Sequence, residues 1–92
     1  MKTVCEFPLL WEDYQTVSMP LDSKVLAAQV QGRIICIWAL VDPGATQAID
    51  CPVWIHGTGH PVGNAASEGR YVASVQLDGG SLVFHVFVGA GA

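Results

Sequence analysis

Short apolar runs separated by turn residues extend along the whole chain, and this pattern predicts strands. Residues 3–10 are apolar with Pro8 near their end, which predicts an edge strand, since proline cannot donate to a hydrogen-bond ladder. Residues 15–19 and 24–30 are the next extended segments, and a hairpin turn is predicted after them at Gln31-Gly32. No apolar period of 3.6 residues persists over ten positions, so the sequence lacks the signal of an amphipathic helix.

The strand predicted at residues 33–41 contains the longest apolar run, residues 34–41, and is the predicted centre of the core. It is β-branched and apolar on both faces, which is typical of a central strand covered on each side, and we expect Trp38 to lie in the core. Asp42-Pro43-Gly44 ends this strand in a turn. We expect residues 45–50 to form a loop or one helical turn, and residues 51–56 to form another strand.

The last third of the chain predicts an exposed loop followed by a hairpin. Residues 61–69 are small and polar, which is the composition of a mobile loop. Asp78-Gly79 predicts a type I′ turn that pairs residues 71–77 with residues 81–88 in antiparallel fashion. The first strand of this hairpin alternates in polarity, which predicts a half-buried strand with one face formed by Tyr71, Ala73, Val75 and Leu77.

These segments together predict an all-β protein of about six to seven strands. Strands of this length joined by short turns favour an antiparallel β-sandwich or a small open barrel, with at most one short helical turn. We expect one β domain at residues 1–88 and a flexible glycine–alanine tail at residues 89–92, because the tail has almost nothing to bury.

The composition is unusually apolar for a domain of this size. Hydrophobic residues make up 51% of the chain and charged residues only 13%, against roughly 25% charged in an average soluble domain. We therefore expect apolar surface to be covered in a homo-oligomer. The formal net charge is −4 with only four cations, so binding to long DNA or RNA is disfavoured because it requires a basic surface.

The cellular compartment is predicted from three absences in the sequence. The longest apolar run is shorter than the about 20 residues that a membrane helix needs, and the residues after Lys2 do not resemble a signal peptide. Cys5, Cys36 and Cys51 form no CxxC pair. We expect a reduced cytosolic protein with no membrane association.

The segment at residues 54–61, Trp-Ile-His-Gly-Thr-Gly-His-Pro, is the strongest candidate for a site. A Gly-Thr-Gly turn can direct consecutive backbone N–H groups at one phosphate or carboxylate, and the histidines add a titratable charge. Arg70 at the end of the following loop would complete such an anion site. The candidate ligand-binding residues are His56, Gly57, Thr58, Gly59, His60 and Arg70. The alternative is a purely structural turn, in which the glycines supply positive φ or a bulge.

The sequence contains no pattern typical of a metal site or a catalytic centre. His56 and His60 are four residues apart, but the intervening glycines disfavour the helix that this spacing needs, and Cys51 or His85 would have to converge on them from other strands. We predict no metal and no cofactor. A Cys51–His56 pair lacks the oxyanion hole and the orienting group of a nucleophilic catalyst, so we predict that the protein is not an enzyme.

Two tryptophans beside turns are candidate interface residues. Trp11 and Trp54 flank predicted turns, where an amphipathic ring often stays partly exposed and fills a pocket of a partner. Packing in the core is the alternative for both rings, and it is the favoured interpretation for Trp54. His85 shares a predicted strand face with Val83 and Phe87, which favours a core histidine over the wall of a pocket.

Six motifs spread over nearly the whole domain carry a resemblance to a known family. They are Met19-Pro20, Val25-Leu26, residues 29–32, residues 38–43, residues 57–61 and residues 79–87. On these motifs the chain resembles a family of small proteins found in tailed bacteriophages and prophages. The resemblance implies a phage origin, and it implies a role of the kind that small acidic phage proteins play when they bind a host enzyme, a defence complex or a signalling nucleotide.

We therefore expect a non-enzymatic phage accessory protein that acts in the host cytoplasm and inhibits a host defence or regulatory factor by binding it. The low charged fraction and the tryptophans beside turns motivate this hypothesis. The alternative is an oligomeric sponge that sequesters a phosphate-bearing nucleotide signal through the Gly-Thr-Gly-His turn. A further alternative is a minor virion component.

Overall fold

Seven strands form two antiparallel sheets in the computed structural model, which describes residues 1–90 and 92. The strands are β1 (Thr3–Pro8), β2 (Tyr14–Pro20), β3 (Lys24–Gln31), β4 (Ile34–Val41), β5 (Ala48–Gly57), β6 (Arg70–Leu77) and β7 (Leu82–Val88). The helix α1 (Asn64–Ser67) lies between β5 and β6, and a 3-10 turn (Asp78–Gly80) joins β6 to β7. In the described part of the chain, no helix is long and apolar enough to span a membrane.

The two sheets pack face to face as a small β-sandwich, which confirms the predicted fold class. The three-stranded sheet has the order β1-β4-β3, and the four-stranded sheet has the order β2-β5-β7-β6. Side chains alternate across each strand, so each sheet turns one apolar face inward. The inner faces supply most of the fully buried side chains, among them Met19, Val25, Ile35, Ile37, Val53, Val86 and Val88.

The predicted central strand is β4, but only one of its faces is fully covered. Ile35 and Ile37 are buried against the four-stranded sheet, whereas Trp38 on the outer face is half-buried and Ile34 is 43% exposed. The expectation of a strand covered on both sides and of a core Trp38 is therefore wrong. A two-layer sandwich has no third layer to cover the outer face of β4.

Several boundaries differ from those predicted. β5 begins at Ala48, within the segment expected to be a loop, because residues 48–50 pair with the end of β2. The β3–β4 turn is Gly32-Arg33 instead of Gln31-Gly32, since Gln31 pairs with Ile34. The β6–β7 connection has positive φ at Asp78 and Gly79 as expected, but it is longer than a two-residue turn because Leu77 pairs with Leu82.

A β-bulge in β6 turns Tyr71 to the opposite face from the one predicted. The register of β6 against β7 shifts between Tyr71 and Ala73. The extra residue, Val72, interrupts the alternation of side chains, so Tyr71 faces outward opposite Phe87 while Ala73 packs against the core. Tyr71 therefore does not share a face with Ala73, Val75 and Leu77.

The expected flexible tail, residues 89–92, makes contacts at both of its ends. The Gly89 N–H donates to the carbonyl of Pro52, and the Ala92 N–H donates to the carbonyl of Gly89. Gly91 lies outside the described residues. Flexibility of this segment stays a prediction.

Candidate functional site: an aromatic face on the four-stranded sheet

The outer face of the four-stranded sheet carries six rings, at least one from each strand. We call this surface the aromatic face, and its rings belong to Tyr14 of β2, Trp54 and His56 of β5, His85 and Phe87 of β7, and Tyr71 of β6. The inward residues of the same strands, such as Val53 and Val86, are fully buried. One side of the sheet therefore forms the core and the other presents the rings.

Strand register brings the rings together. Trp54 lies opposite Tyr14 on one side and Phe87 on the other, and His56 lies opposite His85. Residues directly opposite each other in an antiparallel pair have Cβ atoms about 5 Å apart, which is close enough for rings to touch. The ring centroids are 5.4 Å apart for Tyr14 and Trp54, 5.2 Å for Tyr71 and Phe87, 5.9 Å for Tyr71 and His85, and 6.4 Å for His56 and Phe87.

The aromatic face is partly open to solvent and carries little charge. Tyr14 is 50% exposed and Tyr71 is 49% exposed, while the other four rings are half-buried against their neighbours. Among the described residues, the outward positions of these four strands include one carboxylate, Asp50, and no lysine or arginine. The surface is amphipathic, with neutral hydrogen-bonding groups set among apolar rings.

His85 is fixed by hydrogen bonds at both ring nitrogens. Its Nε2 lies 2.7 Å from Thr58 Oγ1, and its Nδ1 lies 2.7 Å from the Tyr71 hydroxyl. A neutral imidazole offers one donor and one acceptor, and a hydroxyl can act as either, so both contacts are satisfied in either tautomer. The preferred expectation of a core histidine is wrong, because His85 points outward and is only half-buried.

His56, the cross-strand neighbour of His85, has a different environment. Its Nε2 is buried and has no hydrogen-bond partner among the described residues. A buried polar atom without a partner costs free energy, whereas the paired nitrogens of His85 do not. The two histidines therefore differ in their contribution to stability although they lie opposite each other.

The Gly-Thr-Gly-His turn divides its side chains between two places. Thr58 reaches His85 on the aromatic face, whereas the His60 ring lies over Gly57, 3.0 Å from the position that a Cβ atom would occupy there. A side chain at Gly57 would therefore require the exposed His60 ring to shift by a few tenths of an ångström. His60 lines a notch at the end of the sandwich together with Trp11 and Phe84, whose rings pack edge to face at 5.6 Å.

This end notch consists of shallow adjoining cavities. One of about 290 Å³ is lined by Gly57, Thr58, His60 and the start of β7, and another of about 150 Å³ is lined by Trp11, His60 and their neighbours. Of the two predicted interface residues, Trp11 lies at the notch and Trp54 lies on the aromatic face. The structure therefore does not bring them into one surface.

The structure does not assemble the expected anion site. The N–H groups of Thr58 and His60 donate to the carbonyls of Val83 and Gly57, so neither is directed at a ligand. Arg70 lies opposite Val88, whereas Gly57 lies opposite Phe84 towards the other end of β7. The Arg70 guanidinium donates to the carbonyls of Val25 and Ala92. The expectation that Arg70 joins the turn is wrong, because its guanidinium is hydrogen-bonded to the backbone of β3.

The cysteines lie apart from the histidines of the aromatic face. Cys51 is buried on the inner face of β5, opposite in direction to His56, and burial raises the pKa of its thiol. Burial also raises the pKa of Cys36 to about 11, and the nearby Glu6 carboxylate acts in the same direction. Neither thiol has the lowered pKa of a reactive cysteine.

Only two of the six rings of the aromatic face were predicted from the sequence as site or interface residues. Trp54 and His56 belong to the predicted site and interface, but Tyr14, Tyr71, His85 and Phe87 were not included. The alternation of Val83, His85 and Phe87 in β7 was the available signal for two of them. Tyr71 carried no such signal, because a bulge of one residue leaves no mark in the local pattern.

Comparison with known proteins gives one match. The family described as "Domain of unknown function (DUF7352)" matches residues 1–92. No curated protein and no solved structure matches the chain.

Proposed function

Because the chain belongs to the DUF7352 family, whose description names no activity, we propose a function from the aromatic face: the protein is a non-enzymatic binding protein that engages a protein partner through this face. The observation that supports this proposal most strongly is the set of six adjoining rings on the aromatic face. Among the described residues, this face has a single carboxylate and no cation. The centres of protein–protein interfaces have this composition, enriched in Tyr, Trp and Phe and depleted in charge.

The two half-exposed tyrosines are the expected anchors of the interface. Tyrosine buries a large apolar area on binding and keeps a hydroxyl for a hydrogen bond, and it orders few rotamers in doing so. Tyr71 is already held by its hydrogen bond to His85, and its ring packs edge to face on Phe87. A ring that is ordered before binding loses little conformational entropy when a partner covers it.

The charge of this surface supports a protein partner over a nucleic acid or a free nucleotide. Base stacking on aromatic rings is normally combined with cations that neutralise phosphates. The four cations of the chain are Lys2, Lys24, Arg33 and Arg70, and none of them occupies an outward position of the four-stranded sheet. A neutral, aromatic protein surface is the better chemical match.

A bacterial host factor is the partner class to test first. The resemblance to small bacteriophage proteins, which stays a prediction, implies action in the host cytoplasm and inhibition of a defence or regulatory factor. A virion protein as the partner would instead favour the further alternative of a minor particle component.

The experiment compares three baits in quantitative affinity purification from lysate of infected bacteria. The first is the wild-type chain, and the second is Tyr14→Ser with Tyr71→Ser, which removes both exposed rings of the aromatic face. The third is a matched control, Leu26→Ser with Ile34→Ser, which removes two apolar side chains of similar exposure, 46% and 43%, from the three-stranded sheet.

We expect one partner to be retained by the wild type and the control and lost from the Tyr14→Ser, Tyr71→Ser variant. The purified pair should then show a Kd at least about a hundredfold weaker for that variant, since interface anchors typically contribute 2 kcal/mol or more each. Equal retention on all three baits would refute the aromatic face as the binding surface. Circular dichroism of each bait excludes loss by unfolding.

A further inference from the structure

The four edge strands of the sandwich differ in how their free edges are protected. β1 carries the charged Glu6 and ends at Pro8. β3 and β6 each contain a β-bulge, and Arg70 of β6 bonds to the backbone of β3. Charges, prolines, bulges and covering elements are the devices that prevent an edge from pairing with another chain. In the described structure β2, with the sequence Tyr-Gln-Thr-Val-Ser-Met-Pro, has no charge and no bulge, and its one proline, Pro20, is its last residue.

The hydrogen-bond pattern between β2 and β5 shows which backbone groups of β2 point to the free edge of the sheet. The Ile55 N–H donates to the carbonyl of Asp13, and the Leu21 N–H donates to the carbonyl of Gln47. Bonded and non-bonded pairs alternate along an antiparallel ladder, so the odd-numbered residues of β2 bond to β5. The N–H and C=O groups of the even-numbered residues, Tyr14, Thr16 and Ser18, therefore point away from β5 at the sheet edge.

We propose that a second copy of this chain occupies this edge, with two β2 strands paired antiparallel about a two-fold axis at Thr16. In this register Thr16 meets Thr16 of the second copy, and Tyr14 meets Ser18. Each pair exchanges two backbone hydrogen bonds, which satisfies all the outward groups of both strands. The two four-stranded sheets become one sheet of eight strands.

The charge distribution favours self-pairing through β2 over self-pairing through β1. Each chain carries a formal charge of −4, but β2 itself carries no charged side chain. Glu12 and Asp13 precede β2 and Asp22 follows it, so these carboxylates lie beyond the ends of the strand and away from the axis at Thr16. Antiparallel pairing brings Asp22 of one copy towards Glu12 of the other only at the ends of the joined strands, where both side chains are exposed and screened by salt. Pairing through β1 would instead bring the two Glu6 carboxylates close to the axis.

The dimer also extends the aromatic face. Residues that meet directly in an antiparallel pair point to the same side of the sheet, so the outer faces of both copies lie on one side. Tyr14 lies both on the free edge and on the aromatic face, and the two faces would adjoin there. This proposal rests on the backbone of β2 and stands whether or not the aromatic face binds a protein partner.

Sedimentation velocity of the full chain tests the proposal. We expect the wild type to sediment in the micromolar range with twice the 9.8 kDa chain mass. Thr16→Pro removes one outward N–H and places the proline ring at the edge, while the bonds between β2 and β5 stay intact. It should weaken the dimer about tenfold to a hundredfold. The matched control is Val4→Pro, the same change at an outward position of β1, which should leave the dimer unchanged.

Thr16→Lys provides a second variant if Thr16→Pro fails to fold. It places two like charges next to the axis, and the dimer should dissociate at low salt and recover partly at high salt. A wild-type chain that stays monomeric throughout the micromolar range would overturn the proposal. A dimer that survives a folded Thr16→Pro or Thr16→Lys variant unchanged would also overturn it, because a different surface would then hold the two copies.

Discussion

The two outer faces of the sandwich are built by the same alternation of side chains but present different chemistry. The three-stranded sheet presents Ile34 and Trp38 between flanking strands that carry Glu6 and Lys24. The four-stranded sheet presents six rings and one carboxylate. One face therefore carries charges of both signs beside its apolar centre, and the other lacks a cation among its outward strand positions.

This difference, and not the exposure of apolar residues alone, is the basis for proposing the aromatic face as the binding surface. Leu26 and Ile34 are nearly as exposed as Tyr14 and Tyr71, yet single exposed aliphatic residues are common on soluble proteins. The aromatic face differs because its rings contact each other and hold hydrogen bonds at defined geometry. A surface that is contiguous, uncharged and ordered before binding is suited to binding a partner.

The largest expected effect concerns the thiol that lies on the three-stranded face. With a pKa of about 11 in place of 9.0, Cys36 should react with a thiol reagent at pH 8 about a hundredfold more slowly than an ordinary cysteine. Cys5, which is only half-buried, should react first. Mass spectrometry of partially labelled protein measures the order, and complete labelling in denaturant is the control.

The same thiol predicts how stability depends on pH. Below pH 9 the Cys36 thiol is protonated in both the folded and the unfolded chain, so it has no effect. Between pH 9 and about 11 only the unfolded chain loses this proton, and the free energy of unfolding should fall as the pH rises. The decline should be smaller in Cys36→Ala; an equal decline in both proteins would contradict the raised pKa.

The next effect is expected from Gly69, which precedes the bulge that orients Tyr71. A Cβ atom there would collide with the backbone carbonyl oxygen of Val88, so Gly69→Ala should destabilise the protein by about 2 kcal/mol. Urea unfolding followed by tryptophan fluorescence measures this loss. Gly63→Ala is the control, because a Cβ atom there meets no atom within 4 Å, and equal stability of both variants would exclude the close approach.

A smaller effect separates the two facing histidines of the aromatic face. His85→Phe loses hydrogen bonds to Thr58 and Tyr71 and should cost about 1 kcal/mol, since each neutral bond contributes about that much or less at a partly exposed site. His56→Phe removes a buried nitrogen without a partner among the described residues and should be neutral or slightly stabilising. Thermal unfolding of both variants at the same pH measures the two changes in stability. Equal losses of stability would contradict the different hydrogen bonding of His85 and His56.

The smallest expected effect is the response to nucleotides. With the N–H groups of Thr58 and His60 bonded internally and Arg70 tied to β3, cyclic and linear nucleotides should shift the melting temperature by less than about 1 °C. Tight binding at a ligand concentration of 100 Kd would add about 2.7 kcal/mol, or more than about 10 °C for a domain of this size. A shift of that size, abolished by Thr58→Val, would restore the sponge hypothesis.

Most of the fold was predictable from the sequence because strands and turns leave local signals. The extended segments at residues 15–19 and 24–30, the turn at Asp42-Pro43-Gly44 and positive φ at Asp78-Gly79 all appear in the structure. Ala48–Asp50 was missed, since these residues have a loop-like composition and become a strand only by pairing with β2. Pairing partners that are distant in sequence override weak local preference.

The candidate site was less predictable, because it depends on pairing between strands. His56 and His60 belong to one sequence motif, yet they lie in two places, on the aromatic face and at the end notch. Arg70 is close to the motif in sequence but lies towards the opposite end of β7. Proximity along the chain was a poor guide to proximity in space.

The sequence alone determined the fold class, since the period of apolar residues and the positions of turn residues are properties of short segments. Tertiary structure alone decided which rings meet, which face Tyr71 occupies and which edge stays unprotected. Strand order and register arise from contacts between distant segments, and a shift of one residue moves a side chain to the other face of a sheet. The aromatic face and the free edge of β2 exist only after those contacts have formed.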